Sequence, residues 1–238
     1  SVGEMANVWG QALVGPLALV ILRWQQAPPG RRPDLLMVVA MSVVLLGHFG
    51  VFLSLLIFLA AYSGLLLILR GPFLHFATLA GLAVLMVTLL YYGAFMTILV
   101  GRGGAGVPFG WGRLRDELAG ALGLVGSVGP LLSILGLAGL ILLVRDMRLH
   151  GTTGAALGPL LVAWCLSTIV SLGSLLWTQQ ALRWEAFLFP ALVLCGGVAL
   201  AGLHRRGRLG MALAYALLGL TCVRGASLWY WQIATYQH

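Results

Sequence analysis

Residues 35 to 70 read LLMVVAMSVVLLGHFGVFLSLLIFLAAYSGLLLILR. A helix needs ~20 apolar residues to cross the hydrocarbon core of a bilayer, and this stretch is apolar for about twice that length. Only Gly47-His48-Phe49-Gly50 interrupts it. The pattern predicts two helices that meet at a turn on one face of a membrane and return to Arg70 on the other. Composition says the same of the whole chain, in which 61% of the 238 residues are hydrophobic and 8% are charged. A soluble domain of this length does not have that balance. The expected fold class is therefore all-α, a polytopic transmembrane bundle of about eight helices, forming one integral-membrane domain over residues 1–238.

Working outward, a first span is expected from Met5 to Leu22, ending at Arg23. The segment Ala27-Pro28-Pro29-Gly30-Arg31-Arg32-Pro33-Asp34 reads as a charged, helix-breaking loop. After Arg70, a fourth span runs from Phe73 to Leu99. It leads to a glycine-rich loop, Gly101 to Gly112, and a short polar helix around Arg113 to Glu117. A fifth span covers Leu118 to Val144 and ends at Arg145-Asp146-Met147-Arg148. The sixth, Gly154 to Trp177, reaches a turn from Thr178 to Glu185. The seventh, Ala186 to Leu203, descends to His204-Arg205-Arg206-Gly207-Arg208, and the eighth runs from Leu209 to about Trp231.

All fourteen basic residues are arginine, and their placement gives the orientation. Arg23, Arg31, Arg32, Arg70, Arg145, Arg148, Arg205, Arg206 and Arg208 fall on one side, against Arg102, Arg113, Arg115 and Arg183 on the other. The richer side is the cytoplasmic one by the positive-inside rule. Trp9, Trp111, Trp177, Trp184, Trp229 and Trp231 all fall near the other interface, where amphipathic rings settle. Both termini are thus expected outside the plasma (inner) membrane. The net charge of +8 belongs to this topology signal, which argues against nucleic acid as a partner and for the lipid bilayer.

Gly120, Gly123, Gly126 and Gly129 recur every third residue ahead of Pro130. We read them as a face for close helix packing, with a helix break that lines a cavity as the alternative. Cys165, Cys195 and Cys222 lie in apolar runs without CxxC spacing and read as core residues, so no metal is expected. Gly101-Arg102-Gly103-Gly104-Ala105-Gly106 matches a dinucleotide-binding string literally, but it follows a membrane span and opens no βαβ helix. His75, His150 and His204 do not form the depth-matched pair that a haem needs, and no cofactor is named. Val2 to Trp9 lacks a positive region followed by a cleavage site, so no signal peptide is expected. The chain reads either as processed or as a piece of something longer.

Arg224 stands out because it lies about two-thirds of the way through the eighth span. An ionisable group at that depth is costly unless it is paired or faces a polar cavity, which makes it a functional candidate by default. Snorkelling to the headgroups is the competing explanation. His48 sits at an outer turn, where it is placed to bind a phosphate or sugar, or to cap a helix. Arg183, Trp184 and Glu185 combine a guanidinium, which suits phosphate, with an aromatic platform, which suits a sugar. Asp116-Glu117 offers carboxylates for a base or a divalent cation.

Two of these segments, Leu46-Gly47-His48-Phe49-Gly50-Val51-Phe52 and Leu182-Arg183-Trp184-Glu185-Ala186-Phe187-Leu188-Phe189-Pro190, resemble the C-terminal membrane half of the GT-C superfamily of integral-membrane glycosyltransferases. The resemblance implies transfer of a sugar from a polyprenyl-phosphate donor on the outer side of the membrane. His48, Arg183, Trp184, Glu185 and Arg224 would then line the substrate pocket, with Asp116 left to serve as the catalytic base. The family's usual acid comes from a first large outer loop, which this sequence lacks. The alternative is a non-catalytic scaffold subunit of a larger membrane complex, partnered by other membrane chains through its glycine-rich faces.

Overall fold

In a computed structural model, the described residues are 12–28, 30–47, 49–93, 111–123, 128–150, 157–173 and 184–236. They form nine helices and no strand. The helices are α1 (Val14–Gln26), α2 (Arg31–Leu46), α3 (Phe49–Ile68) and α4 (Phe73–Tyr92), followed by α5 (Trp111–Leu122) and α6 (Gly129–His150). The chain then forms α7 (Leu157–Gly173), α8 (Trp184–His204) and α9 (Arg208–Tyr236). The all-α bundle is as the sequence implies. Four of these helices, α3, α4, α6 and α9, contain stretches long and apolar enough to cross a membrane, and α7 and α8 carry shorter apolar stretches. The chain thus has the helices of a multi-pass membrane protein.

The two helices expected on either side of Gly47 are present as α2 and α3, and both contribute faces to the main core. Met37, Met41 and Leu45 of α2 are fully buried with Leu55, Tyr62 and Leu66 of α3. Along α3, Phe58 and Tyr62 lie one turn apart and stack with ring centroids 6.0 Å apart. Trp164 of α7 meets Phe58 edge-on at 6.2 Å, and Phe76 of α4 meets Tyr62 at 4.9 Å. Such tilted aromatic contacts add to burial because ring edges and faces carry opposite partial charge.

The turn between α3 and α4 is tight. Arg70 has a φ of 56°, a left-handed conformation in which glycine is the usual occupant. The Gly71 N–H donates back to the Leu66 carbonyl at 2.7 Å, which satisfies the end of α3 and turns the chain into α4. At its far end α4 loosens into a π-helical turn over Thr88–Tyr92. The buried Tyr92 hydroxyl donates to the Leu45 carbonyl at 3.1 Å, so α4 closes the last turn of α2 from the side.

Three boundaries depart from the sequence reading. Arg31, Arg32, Pro33 and Asp34 belong to the first turn of α2 rather than to a loop; a proline near a helix start loses no hydrogen bond, and an acid there complements the helix dipole. On the first span, α1 begins at Val14 and runs on through Arg23 to Gln26, with residues 1–11 outside the described set. The expected fifth span, Leu118 to Val144, is two helices: α5 ends at Leu122, and α6 starts afresh at Gly129.

The closest helix pair is α6 with α8, which run parallel. A Cβ on Gly136 would strike the Leu192 side chain, and one on Gly139 would overlap the Cys195 carbonyl. Close packing by glycine therefore exists in this protein, one turn and more beyond the glycines that suggested it. Small residues bring helix backbones together in a membrane, where lipid competes with apolar side chains but dispersion still rewards close contact.

Gly139→Ala is expected to lower stability by about 1–3 kcal/mol, as overpacking does, read from thermal unfolding in nanodiscs. Gly197→Ala on α8, where an added Cβ meets no atom within 4 Å, should leave the melting temperature unchanged or raised. Equal behaviour of the two variants would refute the α6–α8 interface.

Candidate functional site

The break between α5 and α6 creates the best-defined polar arrangement around any of the candidate residues. The Gly123 N–H closes α5 on the Ala119 carbonyl at 3.0 Å, and the Val128 N–H returns to the Ala121 carbonyl at 3.0 Å. Gly129 then takes a φ of 72°, and Pro130 follows at a position where its missing N–H is no loss. Glycine is required at this point for two reasons: the backbone is left-handed, and the space a Cβ would fill is occupied by the Arg224 guanidinium.

Arg224 reaches this break from α9. Its Nη1 donates to the Val128 carbonyl at 2.8 Å, and the residue is half-buried. Val128 is fully buried against Leu132 and Leu192. One residue thus joins four helices: its side chain packs on α6 and α8, its N–H holds α5, and its carbonyl receives α9. A hydrogen bond to a charged donor contributes about 1.5–3 kcal/mol, which offsets part of the cost of carrying a guanidinium at depth. The amino end of α6 also brings the positive end of its dipole beside the guanidinium. The local potential is positive.

The other candidates fall elsewhere. His48 and Arg183 lie outside the described residues. Trp184 and Glu185 open α8 at its first turn. Asp116 lies exposed on α5, its Oδ1 receiving the neighbouring Arg115 Nη2 at 3.4 Å, with the two side chains 70% and 82% exposed. A solvated ion pair of this kind contributes little to stability. Among the described residues, Arg224 alone of these candidates is seen to tie two helices together.

A second polar cluster, which the sequence reading passed over, sits at the Arg-rich end of the bundle. Trp24 Nε1 donates to Asp34 Oδ1 at 2.8 Å, and His75 Nε2 lies 3.0 Å from Asp34 Oδ2. An ionised carboxylate only accepts, so the hydrogen of the latter bond resides on His75. The rings of Trp24 and His75 meet edge-on at 5.3 Å. Three helices are joined here: Trp24 ends α1, Asp34 begins α2 and His75 begins α4. The hydrogen bond from Trp24, helped by that from His75 and by its charge, and opposed by burial, holds the Asp34 carboxyl below its ordinary value. The available signal was an acid one residue after Pro33, a helix start read as a loop. That Trp24 and His75 meet it is a tertiary fact.

Cys165 and Cys195 also prove to be neighbours, their thiols facing each other between α7 and α8. Thirty residues of sequence separation concealed that contact.

Two experiments test this geometry. Gly129→Ala and Arg224→Ala should each lower the melting temperature, and the alanine at 129 should cost less when Arg224 is already absent, because its Cβ then meets no guanidinium. A coupling of about 0.5–3 kcal/mol is expected in the double-mutant cycle, whereas strict additivity would disprove the contact. For Asp34, the folded value is depressed, so its stabilisation is fully present above the ordinary 3.8 and is lost as pH falls through the lower folded value. Asp34→Asn should therefore be less stable than wild type near neutrality, with the gap in melting temperature narrowing below about pH 4. A gap independent of pH would show that the carboxylate charge has no part in the cluster.

No protein-family model, curated protein or solved structure matches this chain, so its function is read from its own geometry.

Proposed function

We propose that this multi-pass membrane protein binds the phosphate of a lipid-linked substrate where Arg224 meets the amino end of α6, and acts in glycosyl transfer from a polyprenyl-phosphate sugar. The observation that carries the reading is the Arg224 guanidinium held against the amino end of α6, at a helix break where Gly129 makes room for it. Helix amino ends and guanidinium groups both favour phosphate, and together they supply fixed donors without reorganisation. Arg183, Trp184 and Glu185 would extend the pocket at the start of α8, and His48 at the turn between α2 and α3.

Asp116 is exposed on α5 and paired with its neighbour Arg115, a surface arrangement rather than an enclosed catalytic one. In this reading the chain is the membrane-embedded, substrate-holding half of such an enzyme, and the catalytic carboxylate comes from another part of the assembly.

One observation favours a second reading, a scaffold subunit. Helix α9 packs chiefly on α8, and almost none of its apolar stretch Arg208–Ser227 is buried within the chain. Leu209, Leu213, Leu220 and Val223 face outward, ready for lipid or for the helix of another subunit.

Native mass spectrometry of protein gently extracted from its own membrane separates the two. A polyprenyl-phosphate adduct that falls about tenfold in Arg224→Gln, compared with wild type at a temperature where both proteins remain folded, is the outcome expected for the phosphate site. Fixed stoichiometry with other membrane chains and no such lipid would overturn it in favour of the scaffold.

A further inference from the structure

An open groove of about 540 Å³ lies between α6 and α8 near their carboxyl ends. Its floor is apolar and built largely from small residues: Leu142 of α6, with Val198, Ala201 and Gly202 of α8. Its charged lining is Arg145, Arg205 and one carboxylate, that of Asp146. Both arginines are exposed, and neither has an ion-pair partner among the described residues.

Helix register sets the two guanidiniums at one level of the groove. A Cβ on Gly202 would lie 3.4 Å from Leu142 Cδ1, so these residues mark where the parallel helices meet. Arg145 and Arg205 each follow that contact by three residues, about one helical turn, and so return to the same face. The Arg205 N–H donates to the Ala201 carbonyl at 3.3 Å, which continues the helical path of α8 to this residue. The apolar stretches of the two helices also end here, at Arg148 and His204. The floor therefore lies at the depth of acyl chains and the guanidiniums at the depth of headgroups.

We propose that this groove binds an anionic phospholipid, with its phosphate between Arg145 and Arg205 and one acyl chain along the floor at Leu142 and Gly202. The planar fork of a guanidinium bonds two phosphate oxygens at once, and basic pockets between transmembrane helices suit anionic headgroups. Residues 145–148 and 204–208 hold five arginines and one acid, a field that repels the quaternary ammonium of a zwitterionic head. Orientation in the membrane accounts for arginine at this end, but not for an apolar floor between two of them. A soluble phosphate would leave that floor bare, whereas a lipid uses both features. The site lies about 24 Å along α6 from the Arg224 contact at Gly129, at 1.5 Å per residue. It is independent of the glycosyltransferase reading.

The test uses the full chain in nanodiscs containing equal amounts of phosphatidylglycerol and phosphatidylcholine with identical acyl chains, followed by native mass spectrometry of retained lipids. Wild type is expected to retain phosphatidylglycerol about tenfold over phosphatidylcholine. The double variant Arg145→Gln/Arg205→Gln should lose that preference. Arg31→Gln/Arg32→Gln, which removes two exposed arginines outside the groove, should keep it. Ala201→Leu fills the floor at an exposed position and should reduce phosphatidylglycerol retention with every charge in place; it decides the matter if the first double variant does not fold. Equal retention of the two lipids by wild type would overturn the proposal. So would an equal loss in the two double variants, which would show attraction by the whole Arg-rich face, or retention that Ala201→Leu leaves unchanged. A melting temperature raised by inorganic phosphate in phosphatidylcholine-only nanodiscs, without any preference for phosphatidylglycerol, would assign the arginines to a soluble anion and equally overturn it.

Discussion

A chain in hydrocarbon has no water to satisfy its peptide groups, so each helix end and each break must find partners within the protein or at the interface. The rest of this structure follows from how that requirement is met between α5 and α6. The Val128 N–H returns to Ala121, and the Val128 carbonyl accepts Arg224. Gly129 supplies both the left-handed backbone and the vacant space that the guanidinium needs. A charge that is costly alone and a carbonyl that is costly alone become affordable as a pair. The same pairing anchors α9, which has little other packing.

The α6–α8 contact has a different cause. There the glycines act by absence of volume, letting Gly136 and Gly139 approach Leu192 and the Cys195 backbone. The two uses of glycine, conformation at 129 and proximity at 136 and 139, lie within about three turns of one helix. Spacing alone does not separate them, because both require only that the side chain be missing. The neighbour that fills the space decides which use applies.

The two polar sites lie at different helix ends and differ in charge. At Arg224 a cation sits beside a helix amino end, and the local field favours anions. At Asp34 a carboxylate gathers Trp24 and His75 beside a small cavity. Both sites are built at helix termini, where polar groups left without helix partners are available to meet one another.

The all-α class, the paired helices about Gly47 and the clustering of arginine at one set of helix ends were legible in the sequence. They depend on composition and on runs of apolar residues, which act locally and in sum. Arg224 was legible as an anomaly because depth in a span can be counted along the chain. Its partner was not, since Val128 is 96 residues away and carries no side-chain signal, only a carbonyl freed by a break. The break itself was legible only as the alternative to close packing at Gly120 to Gly129 and Pro130, because residues 118 to 144 remain largely apolar across it. Likewise Asp34 read as one charge in a loop until α1, α2 and α4 converged to place Trp24 and His75 on it. Sequence determined which segments leave water, because that is a sum over neighbouring residues. Tertiary structure alone decided which polar groups meet once they have left, because hydrogen bonds depend on distances between helices that chain order does not set.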